Sequence, residues 1–541
     1  MKTKSGYLLP SLYGATLSLA IVWGWELESI DHLELGNLIY LGYWLLFAVL
    51  IAILTRLSWN VIYKHARPLA LNKDERSLIK SWSYSDKKSF RVTWLVMIIC
   101  QLPVLLAEYP GFFCYDAQDE LTEVLTRSFT THHPLLHVLL LGGIIAAVHK
   151  VTGSYNMGIF CYIVIQMLVI SGILAYVITY LKKCGISKKI RIVMTLFMGL
   201  FPTIVMYQLC SCKDGLFSAF LILAITKLIQ FDEDEESFVE NKCHCAGLII
   251  SATLMMLFRH NGFYAYLVML PVIFIIKRRY IKKIAIMFIA PVLLYIVISR
   301  TMAAALGAYS GEHQEMLTVP IQQLARTYNA YEDEISEEDA ELLKKYLPDE
   351  ALNLYTPRVS DLLKSKFDND AYDTDSVGFW KLWIKLGTRY PMTYLNAWLL
   401  TSYGYWYPGA VINVYQGNTM FTFTYTDSSY FGYEVEPPGE RHSFIPSIDL
   451  LYRKLSIEKF QQNIPVISLF FSPAFYFWLY IYFAGMAAAK GKIRGFWPFA
   501  LVLLVWLTVL LGPTYLVRYV VYLWFGLPLL FLTIKICMGV K

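Results

Sequence analysis

The chain has 541 residues, 57% of them hydrophobic and 16% charged, with a net charge of +6. Soluble domains carry charge on about a quarter of their residues, and several apolar runs here approach the ~20 residues a helix needs to cross a bilayer. The composition excludes an ordinary soluble domain and offers no concentrated basic surface for nucleic acid; it describes an all-α, multi-pass protein of the cell membrane, bathed in lipid.

The first element, "MKTKSGYLLPSLYGATLSLAIVWGW", has a basic start but a long apolar run without a small-residue cleavage pattern. It reads as a first span with its N-terminus in the cytoplasm rather than as a removable signal. Twelve spans are expected in all: 7–25, 37–56, 92–108, 157–181, 192–209, 214–230, 246–259, 262–277, 284–306, 464–485, 496–511 and 519–537. A thirteenth apolar run, 134–150, is decided by charge. The loops "KKCGISKKIR", "KRRYIKK" and "AKGKIR" and residues 56–91 hold five, five, three and nine Lys or Arg, and such loops stay in the cytoplasm. An even number of crossings must then separate 56–91 from 182–191, so 134–150 is expected outside as a juxtamembrane or re-entrant helix. The chain divides into a membrane domain 1–306 of about nine spans with an outer loop 108–156, an extracytoplasmic segment 307–463, and three final spans in 464–541 ending in the cytoplasm.

The outer loop opens with "EYPGFFCYDAQDELTEVLTRSFTTHHPLLH", residues 108–137, holding five acidic residues and three histidines. After the Tyr-Pro-Gly turn, Asp116, Asp119, Glu120 and Glu123 fall at helical spacing on one face; Ala117, Leu121, Val124 and Leu125 form an apolar face suited to lipid. Asp116 can serve as an N-cap, or, partly desolvated at the membrane boundary, as a general base. Pro134 suits a helix start, which places His133 and His137 one turn apart. With Asp116 or Glu120 they form a candidate metal set; contact with a phosphate, or simple packing, is the alternative.

Further along, Lys213 and Asp214 ("SCKDG"), Arg259 ("FRHNG") and Arg518 ("GPTYLVRY") sit at outward span ends. Ions that close to hydrocarbon are costly and mark functional sites or buried ion pairs. Cys114, Cys210 and Cys212 fall near the same face. "CHC" at 243–245 reads as loop. Segment 307–463 holds 22 acidic residues against 13 Lys or Arg, and its stretch "RYPMTYLNAWLLTSYGYWYPG" reads as an aromatic interfacial helix.

An acidic motif soon after a span, followed by "HHP" opening a juxtamembrane helix, resembles the GT-C superfamily of integral-membrane glycosyltransferases. Protein O-mannosyltransferases and aminoarabinose transferases belong there, as do bacterial membrane proteins with "YPG…D…Q" and "HHP". The resemblance implies an inverting transfer of a sugar from a polyprenyl-phosphate donor to an extracytoplasmic glycan, lipid or protein acceptor. Its loop carboxylate maps onto Asp116, with Asp119 or Glu120 orienting the acceptor, binding a metal or serving as base instead. Lys213, Arg259, Arg518 and His133 would meet the lipid phosphate. Some relatives use a divalent metal (Mg or Mn) and others none. The adjacent Asp-Glu pair of the O-mannosyltransferases is displaced here to Asp119-Glu120. Two rival readings are a transporter or lipid flippase, which favours broken helices and midplane charges, and a non-enzymatic scaffold.

Overall fold

The computed structural model describes residues 5–65, 82–277, 281–412, 435–458 and 460–537. Among these residues the regular structure is helical, with isolated bridges such as Phe112–Cys210 in place of sheets. The N-terminal helices are α1 (Ser5–Ile30), α2 (Leu38–His65), α3 (Tyr84–Ala107), α4 (Ala117–Thr126), α5 (Leu135–Thr152), α6 (Tyr155–Lys183), α7 (Lys188–Leu200), α8 (Pro202–Leu209) and α9 (Lys213–Glu233). Seven helices of the described chain are long and apolar enough to cross a membrane.

Apolar helices without polar stripes fold in lipid because every backbone group is satisfied within the helix. Burial then sorts them. The most apolar window of α2 is 6% buried and that of α9 is 89% buried, so α2 leaves its surface to lipid while α9 forms the centre. Its 21 residues span about 30 Å. At one end of α9, Lys277 pairs with Asp232 and Glu235, Trp497 donates to Asp232, and Tyr180 bonds Glu233. Nearby, Lys182 meets Asp86 at 3.0 Å. Lys182 and Lys277, described residues of the basic segments, thus lie at that end, and Lys213 begins α9 at the opposite one.

Three expectations change. The run 192–209 is two helices bent by 56° at Phe201–Pro202, because proline lacks the N–H that would continue α7 and instead starts α8. The last run is bent by 41° between Val517–Phe525 and Leu527–Ile534, leaving Arg518 on a short 3₁₀ turn. The run 464–485 is interrupted before helix Pro473–Ala489. Helices Lys242–Phe258 and His260–Ile276 exist but have 17 residues each.

Helix α5 itself has the length and apolarity of a span, which charge alone argued against. It packs on the first part of α6, through His137–Tyr162 and Gly158 against Ile145. The rest of α6 lies along α3, through Trp94–Ser171 and Lys182–Asp86.

Segment 307–463 is not one unit. Residues from Leu317 to Tyr394 have a hydrophobic core of their own, whereas Leu399, Tyr405, Ile412 and Tyr452 join the main core. The stretch expected as an interfacial helix is helix Pro391–Ser402, which is largely buried inside the protein. The separate core docks on the end of α1, with Arg326 and Arg358 reaching the backbone and carboxylate of Asp31.

Candidate functional site

The site is assembled by a short pairing of two loops. After α3, Gly111 takes a φ of +118°, and a Cβ there would meet Ile163 at 2.7 Å; only glycine turns the chain so tightly. Residues 112–114 then run beside 209–211. Phe112 N–H donates to Leu209 O (3.0 Å), Ser211 N–H to Phe112 O (2.8 Å) and Cys114 N–H to Ser211 Oγ (3.3 Å). Gln166, a polar residue deep in α6, donates to the carbonyls of Gln208 and Cys210. The register of this pairing brings Asp116 beside Lys213. Cys114 and Cys210 meet as thiols with sulfurs 3.6 Å apart.

Asp116 opens α4 but makes no capping hydrogen bond. Its carboxylate is taken by Lys213 Nζ at 2.5 Å and Arg518 Nη1 at 3.2 Å. Lys213 also lies 3.5 Å from Glu120 Oε1 and 3.3 Å from His133 Nδ1. Glu120, 1% exposed, bonds His137 Nδ1, and His137 Nε2 contacts Tyr162 Oη at 2.7 Å. Asp119 points outward to solvent, so the four acidic residues do not act as one face. Glu123 folds back on Thr130 N–H (3.1 Å) and has a structural role. On the apolar side of α4, Val124 packs against α5 at Gly142 and Ala117 and Leu121 are buried, while Leu125 stays exposed.

Charge tunes these groups. Burial raises the Asp116 carboxyl, but Arg518, Lys213 and His133 outweigh it and hold it well below the usual carboxylate range. Burial likewise raises Glu120, and His137 and Lys213 pull it below normal. Although Asp119 is exposed, partial desolvation and then the nearby Asp116 raise its carboxyl. Burial, then Lys213, pushes His133 down to about 4, so its neutral Nδ1 accepts a bond from the Lys213 ammonium.

Asp116, Glu120 and His133 offer atoms within 4.8 Å of one another, close enough to hold a metal ion. Lys213 Nζ stands among those same atoms, so a divalent cation would have to displace an ammonium already satisfied there. His137 is not in the group, contrary to expectation, because both its ring nitrogens are engaged elsewhere.

Arg518 lies over the rings of Tyr115 and Tyr519, with centroids at 4.6 and 4.9 Å, and its buried Nε has no hydrogen-bond partner among the described residues. Arg259 lies on the Tyr519 ring at 4.6 Å but is paired with Asp214. It borders the centre through Tyr519 without joining it. Asp214 therefore serves Arg259, not Lys213. The two aromatic motifs converge here as well: Leu516 N–H donates to Tyr405 Oη at 2.9 Å, and Tyr405 Oη donates to Thr514 O at 3.1 Å. The "GYWYP" stretch thus holds the loop that carries Arg518. Sequence reasoning missed Tyr162, Gln166 and Glu436; only Gln166, a lone amide in an apolar run, left a signal.

Fold and site together define a multi-pass membrane protein with a buried mixed-charge centre at the end of its helices remote from the basic loops. The chain belongs to a family of unknown function, DUF6020, whose profile matches residues 124–537. No curated protein and no solved structure matches it.

Proposed function

We propose that the protein is a membrane glycosyltransferase of GT-C type, moving a sugar with inversion from a polyprenyl-phosphate donor to an extracytoplasmic acceptor. The observation that carries this reading is the convergence of Lys213 and Arg518, both largely buried, on Asp116 with Arg518 Nε left open. Such cations, fixed before the reaction, stabilise the charge that a leaving phosphate gains. The unpartnered Nε gives a phosphate oxygen its donor. The site lies about 30 Å from the basic end along α9, which, with basic loops kept inside, turns the site outward and both termini to the cytoplasm. Counting the two bent runs and the shorter apolar helices as crossings, and α5 as an outer helix beside the start of α6, supports twelve spans.

The lipid tail would leave the phosphate between the apolar helices, and the module 317–394 would lie over the acceptor side. Lys213 supplies positive charge where a divalent ion would otherwise sit. The two bent helices favour a second reading, a lipid flippase, since transporters build sites at such breaks. The charged centre, however, lies at the end of α9 and not at its middle, and it has a carboxylate at its heart.

The test is transfer of label from radiolabelled polyprenyl-phosphate sugars in membranes holding the wild-type chain or Asp116→Asn. Transfer by the wild type and its loss in the variant, at equal protein level, is the expected result. Transfer undiminished by Asp116→Asn overturns the role given to this centre. Lipid movement without transfer would favour the flippase.

A further inference from the structure

Residues 435–444 run back along the end of α3 and the turn beyond it. Glu436 N–H donates to Phe113 O at 2.7 Å, His442 N–H to Tyr109 O at 2.9 Å and Phe444 N–H to Leu106 O at 3.1 Å. Asn156 bonds both the N–H (2.8 Å) and the carbonyl (2.7 Å) of Glu440. Arg441 ties the strap to buried Glu108 at 3.0 Å and to Asp449 at 3.1 Å. These bonds fix Glu436, 5% exposed, against Phe113, three residues before Asp116.

The backbone N–H of Tyr115, the residue before Asp116, faces the Glu436 carboxyl and opposes the rise in its pKa. Tyr115 itself has a φ of +64°, a strained conformation for a bulky residue, so the carboxylate helps hold the backbone that presents Asp116. The ionisable groups acting on Glu436 are Asp116 and Asp119 of α4, Cys114 before it, and Arg518 of the 3₁₀ turn. Asp116 and Glu120 each hold a cation or a histidine. Among the described residues Glu436 has no such ion pair.

We propose that Glu436 is the general base of the transfer, while Asp116 holds the cations that receive the phosphate. The inference rests on the transferase reading. In the step, the Glu436 carboxylate takes the proton of the acceptor hydroxyl, and that oxygen bonds the anomeric carbon. The bond from this carbon to the phosphate oxygen breaks, and its electron pair leaves on the phosphate facing Lys213 and Arg518. Glu436 then returns its proton to water.

Two carboxyls whose surroundings drive them apart divide the acid–base work. Burial, then Asp116 and Asp119, push Glu436 up to about 8, near the working range where a base is most effective. Asp116, held low by its cations, is a weak acceptor of protons.

The experiment compares full-length wild type with Glu436→Gln and Glu436→Asp. Glutamine keeps a carbonyl for Tyr115 N–H, so the fold is retained. The expected result is a kcat lower by about 10²–10⁴-fold in Glu436→Gln with donor KM unchanged, and a smaller loss in Glu436→Asp. In the wild type kcat/KM rises with pH to a plateau, with an apparent pKa near 8, and Glu436→Gln loses this rise; a purely structural Glu436 would leave the profile's shape intact. Independently of activity, infrared titration of the purified protein should show a protonated carboxyl at neutral pH that is absent from Glu436→Gln. A missing band, or a Glu436→Gln enzyme with full rate and an unchanged profile, overturns the assignment of Glu436 and leaves the transferase reading standing. A wild type that transfers nothing while showing the band overturns the transferase reading, and the base role with it.

Discussion

At the scale of single residues, the centre is decided by who pairs with whom. Lys213 is the common partner of Asp116, Glu120 and His133. Removing one member of a buried ion network leaves its partners charged and desolvated, which costs about 3–5 kcal/mol. Lys213→Met is therefore expected to lower thermal stability in detergent markedly as well as to abolish transfer. Asp119→Asn, on the exposed side of α4, should leave the melting temperature unchanged; equal melting of the two variants would contradict the network. The sequence made Asp116, Lys213 and Arg518 legible because an ion beside a long apolar run needs a reason. Spacing along α4 could not tell that Glu120 turns inward and Asp119 outward, since that is set by α5 and α9, elements distant in the chain. Glu436 was illegible for a stronger reason. It lies in "VEPPGE", a stretch with neither periodicity nor apolar flank, and only the main-chain bonds to 106–113 reveal where it goes.

At the scale of elements, precision comes from contacts between segments that look unremarkable alone. Gly404 lies against the ring of Tyr515, and a Cβ on it would meet that ring at 2.1 Å. Gly404→Ala should push Tyr515 and the loop 513–516 away from Tyr405 and misplace Arg518, two residues on from that loop. The expected outcome is a large loss of transfer with a modest fall in stability, read by assaying rate and melting temperature on the same preparation. A variant that keeps the wild-type rate would show that Arg518 does not depend on this clamp. Helix existence was legible from apolar runs almost throughout. Helix continuity was less legible: the run 192–209 reads as one span although Pro202 could mark its break, and Gly526, at the second bend, packs against Tyr480 and Ile222. The aromatic stretch 389–409 was misread because an aromatic-rich helix looks alike whether it meets lipid or another helix.

At the scale of the whole molecule, charge is separated along α9, with Lys182 and Lys277 of the basic loops at one end and the mixed-charge centre at the other. Positive-inside counting anticipated that separation without seeing any contact. The same centre yields a prediction about ions. Because Lys213 Nζ already stands among the three ligand atoms, transfer by the wild type should persist in excess EDTA, and added Mg²⁺ or Mn²⁺ should not raise it. Loss of activity on chelation, restored by either ion, would show that a metal displaces the ammonium in the working enzyme.

The order of these groups along the chain has a consequence for biosynthesis. Asp116 emerges from the ribosome 97 residues before Lys213 and 402 before Arg518. Between those two points the carboxylate at the heart of the centre has Lys213 but lacks Arg518, although α5 and α9, which orient α4, are already made. The centre is therefore completed in two steps, Lys213 first and Arg518 only once the loop before it has been made.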